Sequence, residues 1–146
     1  DLTIKKSYIS KEALRIEIHK KINKVRTLSD LTLLENELID RFGKLDTELT
    51  LFLYERLFHY QASLIQISDI NYINKHLKIT MPIKNNPNLS VKELFSIALL
   101  DNYYVDFKVV KDNLNIDIDM SGDARNWLFF ITELLDKYFC LTKTNQ

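Results

Sequence analysis

Thr27-Leu-Ser-Asp-Leu-Thr-Leu-Leu-Glu-Asn-Glu-Leu-Ile-Asp-Arg-Phe-Gly43 is the stretch on which the reading of this chain turns. At about 100° per residue, Leu31, Leu34, Leu38, Ile39 and Phe42 fall on one apolar flank of a helix. Glu37, Asp40 and Arg41 fall on the other side at i, i+3 and i+4, so three charged heads project together. Thr27 is placed to cap the start, with Asp30 three residues on. Gly43 follows the last periodic residue, where a left-handed position favours glycine. Leu33 lies on the charged stripe, at an angle where an aliphatic side chain gains nothing from the helix's own core. Taken alone, these residues describe an amphipathic helix with a solvated face.

Upstream, Leu14, Ile18, Ile22 and Val25 recur at helical spacing after Ser10, which reads as an N-cap, with Ile9 and Leu14 forming a hydrophobic staple. Leu2 and Ile4 form a short extended lead-in. Downstream, residues 47–67 form a helix apolar over most of its circumference, with Leu49, Leu53, Leu57, Tyr60 and Leu64 on one stripe. After Ser68 the period drops from 3.6 to 2. Ile70 and Tyr72, then Leu77, Ile79 and Met81, alternate about an Asn74-Lys75 turn. Ser90-Val91-Lys92-Glu93 is a capping box opening a short helix to Leu100. A second hairpin places Tyr103, Val105, Phe107 and Val109 against Leu114, Ile116, Ile118 and Met120, with Asp112-Asn113 as its turn. A last helix spans residues 123–138. The class is α+β: an N-terminal three-helix unit followed by two strand-strand-helix units forming an antiparallel-rich sheet. One domain is expected over 1–146, with a helical part at 1–67, a sheet-and-helix part at 68–141 and a tail at 142–146.

The totals narrow the function. Twenty basic residues balance twenty acidic ones, so there is no basic surplus for neutralising phosphates. The charge is segregated, however: residues 1–26 hold eight Lys and Arg against three acids, and residues 27–55 hold two against seven. That pattern predicts a basic first helix lying beside an acidic second one. A basic N-terminal helix that binds nucleic acid as a stand-alone module is the competing reading. Cys140 is the only cysteine, which suits a reducing, cytoplasmic setting. No apolar run approaches the ~18 residues of a membrane span. The chain starts at Asp1 without methionine, as expected of a piece of a longer polypeptide.

Catalytic signatures are missing. With glycines only at 43 and 122, no Gly-rich phosphate loop can form. Asp117-Ile-Asp-Met-Ser-Gly122 imitates the opening of a calcium loop, but its twelfth position is Leu128 rather than a bidentate glutamate. Glu55 and His59 stand at i, i+4 without the further ligands zinc requires. Asp117 and Asp119 are therefore read as the wet face of a strand, and the three histidines as surface residues. Cys140, after a helix, reads as a passive, half-buried thiol. No catalytic residue, metal or cofactor is expected.

Ser7-Tyr8-Ile9, Leu14-Arg15-Ile16-Glu17, Lys20-Lys21-Ile22 and the Glu37–Gly43 run, in that order and spacing, resemble the C-terminal domain of bacterial transcription-repair coupling factors (Mfd). A looser similarity continues to the last helix. The resemblance implies a non-catalytic, autoinhibitory domain at the end of an ATP-dependent DNA translocase that displaces stalled RNA polymerase and recruits UvrA for nucleotide excision repair. In that family the domain docks on a UvrB-like module of the same polypeptide and masks the UvrA-binding surface. Carried over by position, the contact residues are Glu37, Asp40 and Arg41, to which the pattern here adds Leu33. No membrane partner and no direct nucleic-acid contact are expected. The sequence departs from the family where prolines beside the helix 2–3 turn are replaced by Lys44 and Asp46, where Ser10 and Val91 stand at positions often held by proline, and where Gln66 stands for a glycine closing helix 3.

Overall fold

The structure, a computed structural model, describes residues 4–100 and 103–143. Leu2 and the end of the tail, residues 144–146, lie outside them. The element order is α1 (Glu12–Asn23), α2 (Leu28–Phe42), α3 (Thr47–Leu64), β1 (Asp69–Ile73), β2 (His76–Pro82), α4 (Val91–Leu100), β3 (Tyr104–Val110), β4 (Asn113–Asp119) and α5 (Trp127–Thr142). This is the α+β order expected. Two compact units are present, residues 1–60 and 61–146, and the break falls within α3.

In the first unit, Ile9, Ile18, Ile22, Leu31, Leu38 and Leu53 are buried together. Each such side chain contributes about 1.5–3 kcal/mol by leaving water. Thr27 caps α2 as read: its hydroxyl accepts the Asp30 N–H at 3.0 Å, and the Asp30 carboxylate accepts the Arg26 N–H at 3.0 Å. Two local readings change. The N-cap of α1 is Lys11, not Ser10, and no side chain caps it. Arg15 instead donates to the Ile9 and Ser10 carbonyls at 2.8 and 2.9 Å, holding the lead-in against the first turn. Ile39, expected on the apolar flank, is 48% exposed, because that flank faces a core on the Leu31–Leu34–Leu38 side only.

The second unit is built on one antiparallel sheet in the order β1-β2-β4-β3. The two hairpins join where β2 pairs with β4, from His76↔Asp119 to Pro82↔Asn113. Asn74 and Lys75 form the first hairpin's two-residue turn, both at positive φ (52° and 64°), as that tight turn demands. The second turn is Lys111-Asp112, one residue earlier than read, with Lys111 at φ 57° and Asn113 already in β4. Leu77, Ile79, Met81, Leu114, Ile116 and Ile118 face inward and are buried. With Leu94 and Ala98 of α4 and Ile131, Leu134 and Leu135 of α5, most of them line an apolar void of only about 10 Å³. The other sheet face is mostly polar, with Ile73, Tyr104 and Val110 exposed on it.

Residues outside the regular elements close the ends. After α3, the Ile67 N–H reaches the Ala62 carbonyl at 2.9 Å and the Gln66 N–H reaches Ser63 at 3.4 Å, with Gln66 left-handed at φ 57°. This is the paired-bond ending that glycine ordinarily serves. Ser90 caps α4, accepting the Glu93 N–H at 3.3 Å. The last helix starts at Trp127 rather than at 123, capped by Asn126, and runs past Tyr138 to Thr142. The fully buried Tyr138 hydroxyl donates to the Asn88 carbonyl and accepts the Ser90 N–H, each at 2.7 Å. Cys140, read as half-buried, is exposed.

Candidate inter-module interface on the second helix

The four residues singled out on α2 divide into two kinds. Glu37 and Arg41 meet α1. The Glu37 carboxylate accepts from Lys21 at 2.6 Å and from Arg41 at 2.8 Å, and Arg41 also donates to Glu17 at 3.0 Å. Lys21 lies 3.6 Å from Glu17. The result is a closed ladder of alternating charge, with Lys21 matched to Glu37 and, one turn away on each helix, Glu17 matched to Arg41, as antiparallel neighbours require. This is the basic-beside-acidic arrangement the charge segregation predicted. The four side chains keep between 32% and 43% of their exposure, so the ladder is a seam with a wet outer edge. Hydrogen bonds from Lys21 and Arg41 hold the Glu37 carboxyl below its usual range. The Arg41 bond does the same for Glu17, and Glu37 in turn raises Lys21.

Asp40 and Leu33 are different. Asp40 is exposed, and no partner for it occurs among the described residues. Leu33 is 66% exposed, one turn before Glu37 on the same stripe. Lys21, Lys24, Val25, Asp30, Leu33, Leu34 and Glu37 together line a shallow groove between α1 and α2. The surface thus consists of a leucine and a free carboxylate standing beside a charge ladder whose outer edge is accessible.

Sequence reasoning placed Glu37, Asp40 and Arg41 on one side of α2 but missed their neighbours on α1. The available signal was the Glu17/Lys21 pair at i, i+4, facing Glu37/Arg41 at the same spacing. Tyr8 was also missed as a working residue. Its hydroxyl lies 2.7 Å from the Gly43 carbonyl and 3.1 Å from that of Leu38, and its ring meets Phe42 at 5.9 Å. Burial raises its phenol. It therefore closes the end of α2, where Gly43 takes φ 93° and ψ −171°, a region open in practice only to glycine. The separate sequence blocks noted above thus meet as one network: Tyr8 with Gly43, and Glu17 and Lys21 with Glu37 and Arg41.

A sequence profile of the TRCF domain family matches residues 1–94, most of the chain and all of this network. The chain belongs to the TRCF domain family. The crystal structure of the C-terminal domain of transcription-repair coupling factor superposes with a TM-score of 0.70 at 19% identity, covering 97% of this chain and 86% of that one. At that identity the likeness is one of fold. No curated protein matches.

Asp117 lies 2.7 Å from His76 across the β2–β4 pair, and Asp119 accepts the Ser121 N–H at 2.9 Å. Both line the polar sheet face. Glu55 and His59 are exposed and 3.9 Å apart. Among the described residues, no three His, Cys, Asp or Glu side chains converge to hold a metal ion, and no helix is long and apolar enough to cross a membrane.

Proposed function

We propose that this TRCF domain is the non-catalytic, autoinhibitory C-terminal module of a transcription-repair coupling factor. In this reading it docks through α2 on a UvrB-like module of its own polypeptide, in the cytoplasm, and masks the surface that UvrA would bind. The translocase activity belongs to the rest of that polypeptide. The observation that carries the reading is the pairing of an exposed, unpartnered Asp40 with an exposed Leu33 beside the half-exposed Glu37–Arg41 ladder. A small apolar centre with a charged rim suits a reversible protein contact, because each rim charge contributes little and several lost together release it. A coupling of ~1–3 kcal/mol is typical of such a switch.

The ladder refines which residues carry docking. Glu37 and Arg41 have structural work on α1, so the free docking determinants are Asp40 and Leu33. The decisive variant is therefore Leu33→Asp with Asp40→Lys in the complete coupling factor. Raised ATPase turnover and raised UvrA capture are expected, with the isolated domain melting as wild type does. Unchanged turnover and capture would contradict the lid role.

A stand-alone nucleic-acid module gains less support, because two cations of the N-terminal segment already pair with acidic side chains. Lys21 is in the ladder, and Lys5 lies 3.6 Å from Asp46 and 3.5 Å from Glu48.

A further inference from the structure

β3 is an edge strand, and the surface around it exposes several large apolar side chains. Tyr104, Val109 and Val110 are 84%, 63% and 50% exposed. Val109 sits opposite the buried Leu114, on the helix-covered face of the sheet, yet is itself uncovered. α4 leaves Phe95 and Leu99 38% and 50% exposed, and the Phe95 ring meets Phe107 of β3 nearly edge-on at 4.9 Å. Edge strands are commonly blunted by proline, a bulge or a scatter of lysines. Here seven residues pair with β4 in unbroken register, and the only charges on them are Asp106 and Lys108.

We propose that this edge pairs with the β3 edge of a second copy of the chain, antiparallel and centred on Phe107, joining two four-stranded sheets into one. The charges select that occupant and that register. Two-fold pairing about Phe107 sets Asp106 of each copy opposite Lys108 of the other, on the polar face. It sets Val105 opposite Val109 on the helix face and Tyr104 opposite Val110. Cross-strand pairs of these kinds are each favourable. Within its own sheet Asp106 has no such match: its neighbour on β4 is Asp117, and Lys108 reaches it only along the strand, at 3.7 Å with both side chains mostly in water. The two-fold axis stands perpendicular to the sheet, so both α4 helices lie on the same face. Phe95 and Leu99 of one copy then approach those of the other above the paired Phe107 rings. The contact is isologous and closed, and it ends at a dimer.

Sedimentation velocity on the 146-residue chain from about 5 to about 500 µM tests this, the range suiting a contact at the small end of specific interfaces. Wild type is expected to pass from monomer to dimer. Asp106→Lys places Lys against Lys at both ends of the pairing and is expected to weaken association at least tenfold. It also replaces a like-charge neighbour of Asp117, so folding is expected to hold, as circular dichroism would show. The swap Asp106→Lys with Lys108→Asp restores opposite charges across the axis and is expected to restore the dimer. A monomer throughout the range would overturn the proposal and leave the edge to a strand from another protein. Association unchanged in Asp106→Lys, or not recovered in the swap, would overturn it equally.

Discussion

At the scale of single residues, the positions that break local preference are the most telling. Gln66 holds the left-handed geometry that closes α3, at φ 57°, and its side chain recovers a hydrogen bond to the Asn85 carbonyl at 2.9 Å. A left-handed conformation costs an L-residue about 1–2 kcal/mol, and an exposed hydrogen bond returns only part of that. Gln66→Gly is therefore expected to stabilise the chain by about 0.5–1 kcal/mol, read as a raised urea midpoint at unchanged slope. A lowered midpoint would mean that the Asn85 contact outweighs the backbone cost. Periodicity carried the expected helix on to residue 67, past its end at Leu64, so only the family resemblance, in which a glycine closes this helix, marked the position. What holds a glutamine there was not legible, because Asn85 is nineteen residues away in the loop after β2.

At the scale of elements, the helices and hairpins were legible because each buries one face, and burial imposes a period on the sequence. Their partners were less so. Alternation along β2 and β4 shows which side chains face inward, but not that the two strands are neighbours; that emerges only from the register of Leu77 against Ile118. Likewise, helical spacing put Glu37 and Arg41 on one side of α2 without showing that α1 would meet them. The ladder changes what a charge reversal does. Asp40→Lys is expected to leave the isolated chain's stability within about 0.5 kcal/mol of wild type, as exposed sites do. Glu37→Lys sets a third cation between Lys21 and Arg41 and is expected to cost about 1–2 kcal/mol at pH 7. The pH dependence has a definite sign. The folded protein holds the Glu37 carboxyl below its ordinary 4.5, so the ladder's contribution is present above that value and is lost as pH falls through the lower folded one. The gap between Glu37→Lys and wild type is thus expected to narrow in denaturation series carried from pH 7 to pH 3. A gap that widens in acid would place the cost elsewhere than in the ladder.

At the scale of the whole molecule, each of the two compact units has its own apolar core, and the first carries the candidate docking face entirely within residues 1–60. The family was legible in the sequence because the residues that resemble it are those that tie α1 to α2 and close the end of α2. Such residues are constrained by packing and by local geometry, Gly43 above all. Docking is a different constraint. The proposed docking surface differs from bare surface only in an exposed Leu33 and an unpaired Asp40, two positions that amphipathic periodicity alone does not separate from any solvated face. Calorimetric titration of the 146-residue chain into the UvrB-like module proposed to share its polypeptide addresses the docking proposal directly. Saturable one-to-one binding is expected, weakened about tenfold or more by Asp40→Lys, in line with the loss of a close interfacial charge contact, while Gln66→Gly binds as wild type does. No heat of binding from the wild-type chain, or equal affinity in Asp40→Lys, would contradict the account.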